Sequence, residues 1–179
     1  MTYSVYMETY SLTFGRFNLP HPGHVDLIKR MLEVADRAYV GVSSGKNNNW
    51  IELRIEVLDQ LCYRAGLDMD RITFFAASNP YEAVAFVTED PLTSLAVPER
   101  VANTTVVLGV DQTLLGERLR DDLGVKFVPN EVRVGSSTVI RYFLEIGEEQ
   151  IVREIYHNDD FIFNDILDLR QEELSREKS

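Results

Sequence analysis

His21 and His24 stand three positions apart around Pro22 and Gly23, at the close of the segment Gly15-Arg16-Phe17-Asn18-Leu19-Pro20-His21-Pro22-Gly23-His24. Two imidazoles at such a spacing bring hydrogen-bond donors to one spot, which suits a phosphoryl centre where charge builds up during an in-line displacement. Gly23 lets backbone approach a ligand closely, and a helix beginning here offers unpaired N–H groups and a positive dipole end to phosphate. The segment therefore reads as a phosphate cradle. Further on, Trp50 and Arg54 fall one helical turn apart, so an aromatic face and a cation are expected to point the same way, with Lys46 in the loop before them. The plainer alternatives are a packing role for Trp50 and a solvated lysine at Lys46. Arg16 reads equally as a phosphate contact or an exposed cation.

The elements that must hold these residues follow from hydrophobic period. Tyr10 to Phe14 is an apolar run that predicts a buried strand, and Gly15 to Pro22 is a turn-rich loop. Val25, Ile28, Met31, Leu32 and Ala35 keep the spacing of one helical face, and Ala38 to Val42 predicts a second strand. The alternation continues with a helix from about Trp50 to Ala65, a strand over Ile72–Phe75 and a helix from Pro80 to about Thr88, where proline suits the first turn. Residues 89–103, interrupted by Pro91 and Pro98, predict an irregular insertion with one short helix, which reads equally as a candidate lid or a tolerated surface loop. A β-branched strand over Thr104–Gly109, a helix near Thr113–Asp121 and a strand over Val125–Val128 complete the alternation. Helices are then expected over Val139–Ile146, Glu149–Tyr156 and about Phe161–Leu174. The fold class is α/β, a Rossmann-like doubly wound parallel sheet with C-terminal helices, whose ligands sit beyond the carboxyl ends of the strands.

The bulk numbers exclude some functions. With 179 residues, 45% of them hydrophobic, the chain has the composition of an ordinary globular protein. A net charge of −11, with no offsetting basic cluster, argues against a nucleic-acid partner. No run of about 20 apolar residues is present and Met1 to Tyr10 lacks a secretory pattern, so no membrane association and a cytoplasmic location are expected. Cys62, the single cysteine, falls at an apolar helical position and reads as a core thiol. His157, in an acidic stretch, reads as a surface residue.

With these features in view, the first loop resembles the histidine-x-glycine-histidine signature of the nucleotidylyltransferase superfamily (cytidylyltransferase-like), including its glycine-x-phenylalanine-asparagine lead-in. Val134-Gly135-Ser136-Ser137-Thr138-Val139-Ile140-Arg141 resembles the second signature, serine-serine-threonine-x-isoleucine-arginine. The resemblance implies that His21, His24 and Arg141 are catalytic, the histidines around the cleaved α–β bond and Arg141 on the outer phosphates. It implies nucleotide contacts from Gly15, Arg16, Phe17, Gly23, Ser136, Ser137 and Thr138, with helix capping as the plain alternative for the serines. Gly109-Val110-Asp111 resembles the family's glycine-x-aspartate segment, which implies that Asp111 accepts from a ribose hydroxyl or orients the loop; capping of the next helix is the plain reading and is compatible with this.

Within the superfamily the chain most resembles the nicotinamide or nicotinate mononucleotide adenylyltransferases of NAD synthesis, which places Lys46, Trp50 and Arg54 at the acceptor. Residues 1–146 are then the nucleotidylyltransferase domain and 147–179 a helical extension packed on it. Implied partners are ATP with Mg2+, no metal being held by the protein itself, and a small phosphorylated acceptor; a homo-oligomer stays open. Alternatives are another acceptor (phosphopantetheine, FMN, or glycerol phosphate with CTP), a nucleotide-binding regulator without turnover, or a fragment of an aminoacyl-tRNA synthetase. Length and acidity oppose the last.

Overall fold

The structure is a computed structural model that describes residues 7–44, 50–131 and 136–177. Five strands, β1 (Tyr10–Gly15), β2 (Arg37–Ser43), β3 (Ile72–Ala77), β4 (Thr104–Gly109) and β5 (Lys126–Asn130), pair in parallel in the order β3-β2-β1-β4-β5. Helices α1 (Pro22–Val34), α2 (Ile51–Arg64), α3 (Pro80–Thr88), α4 (Pro98–Ala102) and α5 (Thr113–Leu123) connect them. Helices α6 (Ser137–Glu145), α7 (Glu149–Ile155) and α8 (Asp160–Glu177) close the chain. This is the expected doubly wound, Rossmann-like α/β fold with C-terminal helices. Strand order reverses between β1 and β4, so the crevice for ligands opens at their carboxyl ends.

The alternation of side chains along each strand divides the apolar residues between two layers. Ala38, Val40 and Val42 of β2 pack with Ile28 and Met31 of α1 and Val57, Leu58 and Leu61 of α2. Leu12 of β1 and Val106 and Leu108 of β4 pack on the other layer with Ala83, Val84 and Val87 of α3 and Leu119 of α5. Val152 and Tyr156 from the α7 region and Ile162, Phe163, Ile166 and Leu169 of α8 join the first layer, so the C-terminal helices share the core of α1 and α2. Cys62 is part of that core, and burial, with Asp59 adding to it, pushes its thiol up to about 12. The free carbonyls at the end of α1 are met by one guanidinium: Arg71 donates to Leu32, Ala35 and Asp36. Among the described residues no helix is long and apolar enough to cross a membrane.

Residues 89–103 contain only α4 and an isolated bridge between Glu89 and Ala96. The expectation of a lid fails on topology. Helix α3 returns from the carboxyl end of β3 to the opposite pole of the sheet, so the insertion sits beside strand starts. There Asp90, Pro91 and Ser94 border a groove of about 750 Å3 together with Tyr10, Tyr39 and Thr73.

Helix α5 rests on β5 through Gly116, where an added Cβ would lie 2.2 Å from the ring of Phe127. Substituting Gly116→Ala gains about 1 kcal/mol of helix propensity but overpacks this contact at a cost of about 1–3 kcal/mol. The variant is expected to have a lower urea midpoint with an unchanged m-value, and G116A combined with F127L is expected to regain part of the loss.

Candidate active site

The loop from β1 ends in a cap built by the two histidines. His21 is the N-cap of α1, with extended backbone, and its Nδ1 accepts from the Gly23 amide at 3.0 Å. His24 replies from the third helical position, its Nδ1 accepting from the His21 amide at 3.1 Å. This is a reciprocal capping box in which imidazoles replace the usual hydroxyl and carboxylate. The rings stack with centroids 3.7 Å apart, and Phe17 meets His24 edge-on at 4.9 Å. Because each Nδ1 accepts, each neutral ring carries its proton on Nε2 as a donor.

Burial and the nearby Arg141 charge lower His21, which is 7% exposed, to about 4; burial and His21 hold His24 well below the ordinary histidine range. Both rings are therefore neutral at physiological pH. The expected cradle of free backbone amides at α1 is corrected by the same geometry. Pro22 has no N–H, the Gly23 amide is spent on His21 Nδ1, and the His24 amide bonds to the His21 carbonyl at 2.9 Å. At the start of α1 the donors left to face a ligand are the imidazole Nε2–H groups.

The loop itself is held by side chains. Arg54 donates to the Arg16 carbonyl at 2.5 Å and to the Ser43 carbonyl at 3.0 Å. Arg141 donates to the Asn18 carbonyl at 2.5 Å, Ser137 Oγ to the Leu19 carbonyl at 2.8 Å, and Tyr156 to the Pro20 carbonyl at 2.5 Å. Phe17 adopts left-handed backbone, φ 50°, which costs a non-glycine residue about 1–2 kcal/mol. Burial of Phe17 and Leu19 in the core offsets it.

Helix α6 faces this loop. Ser136 is its N-cap, the hydroxyl accepting from the Val139 amide at 3.2 Å, so capping is realised there. Thr138 is exposed, and among the described residues its hydroxyl and the amides of Ser137 and Thr138 make no hydrogen bond. Arg141 also forms a two-pronged pair with Glu173 of α8, Nε to Oε2 at 2.9 Å and Nη2 to Oε1 at 2.8 Å. The second signature thus touches the first through Ser137 and Arg141.

The remaining candidates are spread more widely. Arg16 is exposed at the loop's edge, and Gly15 ends β1 under the Phe17 ring. Gly109 ends β4 and Asp111 follows it; a Cβ on Gly109 would lie 2.6 Å from Asp111 Oδ1, so the carboxylate packs against the glycine and would have to turn aside for a larger residue. Asp111 does not cap α5, whose N-cap is Gln112 with no side-chain bond. The shared direction expected of Trp50 and Arg54 is also corrected. Trp50 precedes α2 with left-handed backbone, φ 47°, and is 48% exposed, whereas Arg54 is 3% exposed and bound to loop carbonyls. Lys46, and Val134 and Gly135 of the second signature, lie outside the described residues. His157 is exposed, as read from sequence. Sequence reasoning missed Tyr156 and Glu173. An aromatic at an apolar helical position is a signal for the first, since a buried phenol needs a partner; spacing carries none for the second.

A paired-histidine loop at the switch point of a parallel sheet, faced by a serine-capped helix, is the arrangement in which the two signature segments resembling the nucleotidylyltransferases meet. The match to the family described as cytidylyltransferase-like runs over residues 12–141, and the chain belongs to that family. Among solved structures it is similar to a putative nicotinate-nucleotide adenylyltransferase from Vibrio parahaemolyticus, with 20% identity and a TM-score of 0.55 over 79% of this chain and 83% of that one. It is also similar to a bifunctional NMN adenylyltransferase/ADP ribose pyrophosphatase from Francisella tularensis, with 17% identity and a TM-score of 0.57 over 76% of this chain and 42% of that one. At these identities the likeness is one of fold. No curated protein matches the chain.

Two measurements check the site's construction. Tyr156→Phe removes the donor to the Pro20 carbonyl and is expected to cost about 1–3 kcal/mol in urea unfolding, the penalty of an unmet buried acceptor. His21 is expected to titrate near 4 by NMR rather than at 6.5. Between those values the unfolded chain binds a proton that the folded chain does not, so stability is full above 6.5 and falls as pH drops toward 4. The loss attributable to His21 is on the order of 3 kcal/mol.

Proposed function

We propose that this nucleotidyltransferase is an adenylyltransferase that moves AMP from Mg-ATP to nicotinamide or nicotinate mononucleotide and releases pyrophosphate. A phosphate oxygen of the acceptor attacks the α-phosphorus, the α–β bond breaks, and its electron pair leaves with pyrophosphate. The acceptor phosphate is already anionic at neutral pH, so the step needs positioning and charge stabilisation rather than a general base. The observation that carries the reading is the histidine pair: two stacked, neutral rings locked by one capping box and presenting Nε2 donors.

In this proposal His21 and His24 stabilise the pentacoordinate phosphorus and Arg141 meets the outer phosphates. Ser136, Ser137 and Thr138 supply the start of α6, while Gly15, Arg16, Phe17 and Gly23 shape the loop. Asp111, beside Gly109, accepts from the ribose. Trp50, exposed at the start of α2, offers an aromatic face to the acceptor, with Lys46 beside it in sequence. Arg54 acts on the acceptor indirectly, by fixing the loop. The donors at the loop are N–H groups, unsuited to a cation, and among the described residues no three His, Cys, Asp or Glu side chains converge as a metal site. In this proposal Mg2+ enters with the nucleotide, as part of the Mg-ATP substrate. The pyridine acceptor is supported by the Gly15-Arg16-Phe17 and Ser136-Ser137-Thr138 forms of the two signatures and by the named activities of the two fold relatives.

The test is pyrophosphate release from Mg-ATP or Mg-CTP, screened over nicotinamide and nicotinate mononucleotides, phosphopantetheine, FMN and glycerol phosphate. Turnover is expected with a pyridine mononucleotide and ATP. Turnover with another acceptor alone overturns the substrate, and ATP binding without turnover on any acceptor overturns the enzyme in favour of a nucleotide-binding regulator. Substituting His24→Ala is expected to lower kcat by about 100- to 1000-fold while changing ATP affinity far less.

A further inference from the structure

We propose that Glu173, carried by α8, is the positioning residue for Arg141, selecting which of its N–H groups faces the outer phosphates of the nucleotide. The inference deepens the nucleotidyl-transfer reading and rests on it. Nε has one hydrogen and Nη2 has two. Glu173 takes the first at 2.9 Å and one of the others at 2.8 Å, and the Asn18 carbonyl takes the third at 2.5 Å. Nη1 makes no hydrogen bond among the described residues, so its two N–H groups are what the guanidinium can offer a ligand. A guanidinium ends a stem with about 2 kcal/mol of rotamer entropy, and a two-pronged carboxylate removes most of that freedom.

Glu173 is well placed to hold rather than to move. Its side chain is 12% exposed, and Oε2 also accepts from Arg170 at 2.8 Å. Burial would raise its pKa, but the two guanidiniums outweigh that and keep it ionised. Helix α8 is seated in the core through Ile162, Phe163, Ile166 and Leu169. Glu173 divides its charge between Arg141 and Arg170, so it orients Arg141 while offsetting only part of that guanidinium's attraction to phosphate; the charge of Glu177 also acts on Arg141. A carboxylate that merely occupied the phosphate position would compete with ATP, and the two roles predict opposite changes.

Glu173→Gln keeps volume and one acceptor oxygen but loses the charged two-pronged pair. In the full chain, with circular dichroism and Tm confirming the fold, its KM and Kd for ATP are expected to rise by about 10-fold, or ~1.4 kcal/mol. KM for the acceptor should stay within about 2-fold. In an Arg141→Ala background the same substitution should add nothing, because there is no guanidinium left to orient; a purely structural glutamate would still cost affinity there. Tighter ATP binding by E173Q, or affinity within about 2-fold of wild type, overturns the proposal and leaves nucleotidyl transfer standing. A wild-type chain that binds no Mg-ATP at all overturns both.

Discussion

Everything at the site depends on a loop that has no ladder to lie in. Between the last residue of β1 and the cap of α1 the chain crosses the carboxyl ends of the strands, and the carbonyls of Arg16, Asn18, Leu19 and Pro20 meet side-chain donors. A buried carbonyl left unmet costs about 1–3 kcal/mol, and the Pro20 carbonyl is buried while the other three are partly so, so the loop depends on these donors together. The donors come from α2, from α6 twice and from the end of α7, elements separated widely in sequence. Phe17 and Leu19, turned into the core, anchor the same stretch from beneath. The position of the two imidazoles is therefore set by tertiary structure on several sides rather than by the local turn.

That dependence explains what was legible in the sequence. The strands were readable because β-branched and apolar runs such as Thr104–Gly109 are bounded by turn residues, and α3 because Pro80 fixes its first turn. The histidine loop and the serine-rich start of α6 were readable as motifs, and the structure brings them into contact. What periodicity could not supply was the partner of each polar group. Arg54 carries a cation at a helical spacing from Trp50, yet its guanidinium is turned inward to a carbonyl 38 residues away. Trp50 falls out of helical phase because its own backbone is left-handed, so an argument from one turn of helix does not apply to it. The same limit hid the bond from Tyr156 to Pro20, which spans 136 residues.

The candidate lid shows a different limit. Two prolines correctly marked residues 89–103 as irregular, with α4 as the short helix. Which pole of the sheet they occupy follows from the direction of α3, and in a parallel sheet every connection of this kind must carry the chain back to the strand starts. An interruption before a strand is therefore remote from the ligand crevice, and one after a strand is next to it. Applied to position in the order of elements rather than to composition, that rule separates Gly15–His21 and Gly109–Asp111 from residues 89–103 without any structure.

The charge distribution completes the physical account. A chain of net charge −11 repels a triphosphate at long range, so attraction must be generated close in. Cationic histidines would do this only if burial allowed them to keep a proton, and here burial removes it. In the proposed site the loop relies instead on oriented N–H dipoles, which keep their strength in a desolvated site and titrate only in acid. In the proposed site Arg141 supplies the fixed charge, and its pairing with Glu173 lets that charge be partly buried and still point one way. On this reading the acidic C-terminal helix, which by composition looks like a mere solvated face, contributes a carboxylate where a lone arginine would lack direction.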